Sequence, residues 1–191
     1  MSKLIHLGRV PKSPEDRASL IAEQVAKEER MANMGLNHVK KAVVEYLLSE
    51  KGYSNQDMEL DRDFSIRLCD DVFTVKADIL LRIDGQPFLL VKCAMSSPDS
   101  WERYAVAMSR VACDRTIPFC LVTDGEVARL IDVRTGEGET EGFDDFPSRQ
   151  EALKMMADYA TASFVCEKVE KEKRILFAFE GISCQPVKEN Q

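Results

Sequence analysis

The chain has 191 residues, 45% of them hydrophobic and 31% charged, with a formal net charge of −7. This balance excludes collagen-like, mucin-like and wholly disordered chains, and the length suits one globular domain with a helical appendage. The negative charge repels polyanions at long range, so tight non-specific DNA binding is disfavoured, and a nucleic acid would have to be met by a local basic patch.

Ser13-Pro14-Glu15-Asp16 reads as an N-cap, a proline at the first helical position and acids in the first turn. The charged helix it opens is expected to end near Gly35 and to dock on the domain or on another subunit through Leu20, Ile21 and Val25. Asn37 is expected to cap a second helix with Val39, Val43 and Leu47 as its apolar stripe, stopped by Gly52. Met58 to Leu68 alternates as a strand, with a slip near Arg62 that suggests a bend or bulge. Asp70-Asp71 is expected to turn the chain into a strand over Val72 to Ile83. Asp84-Gly85 is a strong hairpin signal before a further strand, Pro87 to Met95. Ser97-Pro98 opens a helix that runs to about Cys113, and Ile117 to Thr123 is an apolar strand. The Asp124-Gly125 turn leads into an alternating segment, Val127 to Val133. Residues 136 to 146 read as a surface loop. Ser148 to Glu151 matches a capping box for a last helix reaching roughly residue 173, after which Ile175 to Phe179 continues as helix or turns to strand. The mixed-sign run KVEKEKR at 168 to 174 reads as a solvated helix face. Three segments result: a helical arm (1–35), an α/β core (36–146), and a C-terminal helix and tail (147–191).

No apolar run approaches the roughly 18 residues that span a bilayer, and the opening MSKLIHLGRV is too short and polar for a secretory segment, so a cytoplasmic location is expected. The six cysteines (Cys69, Cys93, Cys113, Cys120, Cys166 and Cys184) are scattered singly, and are expected to be reduced thiols, at least four of them buried. His6 and His38 have no partner at ligand spacing. Trp101 is expected to be a packing anchor.

The stretch KADILLRIDGQPFLLVKCA, preceded by VVEYLLSEKGYS and followed by IPFCLVTDGEVARLIDVRTGE, resembles the N-terminal domain of type I restriction enzyme R subunits, within the PD-(D/E)xK nuclease superfamily. The resemblance covers about residues 36 to 136. It implies a restriction-endonuclease-like core, a central mixed sheet flanked by helices, with added N- and C-terminal helices. In active relatives the first hairpin strand carries an aspartate and the second Glu-x-Lys. Asp78 matches the aspartate, but Lys92 stands where the acid would be and Ala94 where the lysine would be. The Glu-Glu pair of relatives reads Leu36-Asn37, and a Gln-Ala-x-x-Tyr-like element reads Val106-Ala107-Met108-Ser109-Arg110.

These departures matter because hydrolysis of this kind needs a divalent cation on at least two carboxylates, to acidify a water and neutralise the leaving oxygen. Exchanging a carboxylate for an ammonium changes the local charge by two units, each worth about 4 kcal/mol against another unit charge at about 4 Å in an effective dielectric near 20. The expectation is therefore a vestigial site, with Lys92 paired to Asp78 and no cofactor. The chain would be a non-catalytic binding or assembly module for nucleic acid or protein. Two alternatives stand beside it. One is a magnesium-dependent endonuclease whose acids have moved, with Glu45 first among Glu45, Glu59 and Asp61 to join Asp78. The other is a homo-oligomeric structural protein, a homodimer through its terminal helices. Arg103 and Arg110, seven residues apart on one helix, are the candidate phosphate contacts. No Gly-rich phosphate loop of a motor ATPase is present in the sequence.

Overall fold

The computed structural model describes residues 13–95, 98–139, 142, 146–160 and 168–182. They fall into two compact units divided between His38 and Val39. Helix α1 (Pro14–Ser49) is continuous where the sequence predicts two helices. Its start is capped as expected, the Asp16 N–H donating to Ser13 Oγ at 3.1 Å. Gly35 does not break it, because one interior glycine costs only about 1 kcal/mol against alanine, a small sum over 36 helical residues. In the first unit the side chains of Ile21, Val25 and Met34 are exposed.

The second unit is a mixed α/β fold. After a single 3-10 turn at Asn55–Asp57 come β1 (Met58–Leu68), β2 (Asp71–Ile83), β3 (Gln86–Cys93), α2 (Asp99–Val111), β4 (Phe119–Thr123), β5 (Ala128–Asp132) and the two-residue β6 (Gly138–Glu139). Strand β6 lies inside the segment read as a loop, and the Cys69–Asp70 pair, not Asp70-Asp71, makes the first turn, with Cys69 left-handed (φ 53°). The six strands lie side by side in sequence order. All neighbours are antiparallel except β3 and β4, which run parallel because α2 carries the chain back between them. Asp84 and Gly85, both at positive φ, form the two-residue turn between β2 and β3.

Two helices follow, α3 (Arg149–Ala160) and α4 (Val169–Ile182), where one was predicted; Ile175 to Phe179 is helical. The predicted capping box opens α3: Ser148 N–H donates to Glu151 Oε2 at 2.8 Å, and Glu151 N–H to Ser148 Oγ at 3.3 Å. One face of the sheet buries Leu80, Leu90, Cys120, Val122 and Ile131 in a single cluster with Tyr104 to Met108 of α2 and Leu176 of α4. The alternate residues Ile79, Leu81, Leu89, Val91 and Leu121 are equally buried and point the other way. Among the described residues no helix is long and apolar enough to cross a membrane.

Candidate functional site

The slip read near Arg62 has a definite form. Pairing of β1 with β2 runs Leu60↔Ile79 and then Arg62↔Ala77, skipping Asp61 and Asp78 while keeping its register on both sides. Asp61 is left-handed (φ 52°), which turns its peptide groups out of the ladder. Across the break, Val75 and Ala77 join the same core cluster as Leu80, so the in–out alternation of β2 shifts by one residue around Asp78. On its other side the β2–β3 ladder begins only at Ile79↔Val91. Asp78 thus sits where two ladders open, with its carboxylate free to take what the backbone no longer pairs.

It takes two donors. Cys93 N–H reaches Asp78 Oδ2 at 2.8 Å, and Lys92 Nζ reaches the same oxygen at 2.9 Å. The two side chains are 13% and 14% exposed, enough shielding for the attraction to exceed that of an ordinary surface pair. Lys92 Nζ also lies 5.3 Å from the centroid of the Trp101 ring, a cation–π contact. Trp101 in turn packs edge-on against Tyr104 and tilted against Phe179. Tyr104 donates its hydroxyl to Glu180 Oε1 at 2.7 Å, and burial first, then that acceptor, pushes the phenol above its ordinary range. Burial likewise raises the Cys93 thiol to about 12, with the neighbouring Asp78 charge adding to it. A second ion pair stands close by: Lys40 Nζ donates to both carboxylate oxygens of Asp61, at 2.8 and 2.7 Å.

Ala94 is 1% exposed and belongs to the core cluster; its N–H donates to Thr123 O at 2.8 Å. A lysine there would have to push its ammonium through packed side chains. The other acids are occupied elsewhere: Glu45 pairs with Lys41 on the helix surface at 3.7 Å, Glu59 bonds Arg82, and Asp61 holds Lys40. Among the described residues no three His, Cys, Asp or Glu side chains come together to hold a metal. Among the described residues, the Asp78 carboxylate already carries the Lys92 ammonium and Asp61 carries Lys40, so this donor set does not fit a magnesium ion.

Arg103 and Arg110 converge on Glu172 of α4. Arg103 Nη2 bonds one carboxylate oxygen, and Arg110 Nη1 bonds the other at 2.9 Å. Arg110 also donates to Val133 O at 2.7 Å and is 16% exposed, while Arg103 is 43% exposed. Glu172, 2% exposed, corrects the reading of residues 168 to 174 as a wholly solvated face. The i, i+4, i+7 spacing of Glu172, Leu176 and Phe179 was the available sign that this glutamate faces the core. Lys40 and Glu180 carried no such sign.

A mixed α/β domain with an aspartate on β2 salt-bridged to a lysine on β3, at a break between ladders, is the class that this geometry defines. The family described as type I restriction enzyme R protein N terminus matches residues 37–147, more than half of the chain, and the chain belongs to that family. No curated protein matches the sequence. Among solved structures, the chain is similar to one described as a fragment of a type I restriction enzyme HsdR subunit from Vibrio vulnificus. The two share 17% identity at a TM-score of 0.44, over 73% of this chain and 30% of that one.

Proposed function

We propose that this chain is a non-catalytic member of its family, a cytoplasmic assembly module that engages a protein partner and carries out no metal-dependent phosphodiester hydrolysis. The observation that carries the reading is the 2.9 Å contact between Lys92 Nζ and Asp78 Oδ2. It puts a fixed positive charge where hydrolysis would need a divalent one, and a bound ammonium neither acidifies water nor offers open coordination positions. A protein partner is favoured over nucleic acid by the net charge of −7 and by the commitment of Arg103 and Arg110 to Glu172.

Calorimetric titration with Mn²⁺ tests this. The wild type is expected to give no binding heat, whereas Lys92→Glu, which sets a second carboxylate beside Asp78, gains a site that Asp78→Ala removes again. Binding by the wild type that Asp78→Ala abolishes would overturn the reading. So would Mg²⁺-dependent nicking of plasmid DNA that is lost in Asp78→Ala. Lys92→Glu alone is the informative restoration, since Ala94→Lys would disturb the core.

A further inference from the structure

Strand β1 is the first in the sheet order, pairs with β2 on one side, and has no strand on the other among the described residues. Eleven residues make a long edge, and an unpaired edge offers a row of N–H and C=O groups to a second strand. Its usable part is bounded. At one end left-handed Asp61, held by Lys40, turns the backbone away; at the other the chain turns at Cys69–Asp70. Between them lie residues 62 to 68, with Ser65 at the centre.

We propose that two copies of this chain pair antiparallel along this edge, with the two-fold axis at Ser65, and join their sheets into one. Along the segment Phe64, Ile66 and Leu68 are buried, while Asp63, Ser65 and Arg67 are exposed. A two-fold axis at Ser65 sets Asp63 of each copy opposite Arg67 of the other, twice, and Phe64 opposite Ile66 on the core face. Within residues 62 to 68, this register alone among its neighbours sets an acid opposite a base. Centring on Phe64 opposes Asp63 to Ser65, and centring on Ile66 opposes it to Cys69. Both charges are available: Arg67 has no ion pair among the described residues, and the nearest cation to Asp63 is Lys76 at 3.9 Å, with both groups more than half exposed. Phe177 of α4, 42% exposed, packs edge-on against Phe73, the residue paired with Ile66, so apolar surface stands beside the same stretch of strand. Because the contact is two-fold it closes on itself and forms no fibre. It concerns the sheet edge and stands or falls independently of the reading of Asp78 and Lys92.

Sedimentation equilibrium of the full chain at low salt, over a range of concentrations, tests the pairing. The expected result is a monomer–dimer equilibrium that Asp63→Arg and Arg67→Asp each weaken by about tenfold or more, through two lost attractions and two new repulsions, and that the double exchange restores. Circular dichroism melts establish that each variant folds. A monomer at every concentration, a dimer indifferent to both reversals, or a double variant no tighter than the singles would overturn the proposal. Ser65→Cys gives a second reading that leaves the charges intact: at the axis it should cross-link the dimer under mild oxidation beyond the wild-type background, and a failure to do so counts against the register.

Discussion

Asp78 accepts from both a backbone N–H and an ammonium, and the two donors are not equivalent. Asp78→Ala leaves the Cys93 N–H unpaired at a ladder opening and is expected to cost about 2–3 kcal/mol in urea unfolding. Lys92→Met keeps the Cys93 bond and much of the packing on Trp101, and should cost about 1 kcal/mol. Equal losses in the two variants would mean that the charge pair, and not the backbone cap, dominates. Thiol chemistry offers a check at the same scale. Among the described cysteines Cys69 is exposed, Cys113 half-buried, and Cys93 and Cys120 buried, with burial pushing both of the last two thiols up to about 12. Iodoacetamide labelling of the native protein at pH 8, followed by peptide mapping, should therefore modify Cys69 well before Cys93 or Cys120, because the thiolate is the reacting species.

The placement of α4 depends on a charge that local pattern assigned to solvent. Glu172 is held by two guanidiniums of α2, and Leu176, one turn on, is fully buried in the core. Glu172→Ala would leave two arginines facing each other without their anion, and is expected to destabilise the protein by about 3 kcal/mol and to speed amide exchange in α4 before that of the sheet. Arg110→Ala should cost more than Arg103→Ala, since Arg110 is the more buried and also donates to Val133 O. The opposite order in urea unfolding would contradict this assignment. The capping box of α3 and the Asp84–Gly85 turn were legible in sequence because their chemistry lies within four residues. The continuity of α1 was not, because Gly35 and Asn37 are local stop signals whose weight is small against the rest of a helix of 36 residues.

The second unit is closed by contacts between segments far apart in the chain. Arg149 at the start of α3 reaches both carboxylate oxygens of Asp57 at 3.3 Å, and the Tyr53 hydroxyl donates to Pro147 O at 3.0 Å. Burial alone would raise the Asp57 carboxyl, but hydrogen bonds from Ser54 and the Arg149 guanidinium outweigh it and hold the group below its ordinary range. A carboxyl depressed in the folded state stabilises above its unfolded pKa, near 3.9, and loses that contribution as pH falls through the folded value. Urea unfolding at descending pH should therefore show wild type more stable than Asp57→Asn at pH 6, with the gap closing below about pH 4. A gap that stayed constant with pH would remove Asp57 from the acid response.

The sequence by itself determined the first five strands, the two-residue hairpin turn and the caps at Ser13 and Ser148, because alternation, turn chemistry and capping act over a few residues, while Asp78, Lys92 and Ala94 were marked out by the family resemblance. It also pointed to the break near Arg62, through the failure of strict alternation. Apart from the pairing of Lys92 with Asp78, tertiary structure alone decided which charges meet. Lys40 finds Asp61 across 21 residues, and Arg103 finds Glu172 across 69. A lysine or glutamate reads the same whether it faces water or a partner, and only the packing of helices on the sheet removes the water that makes the difference.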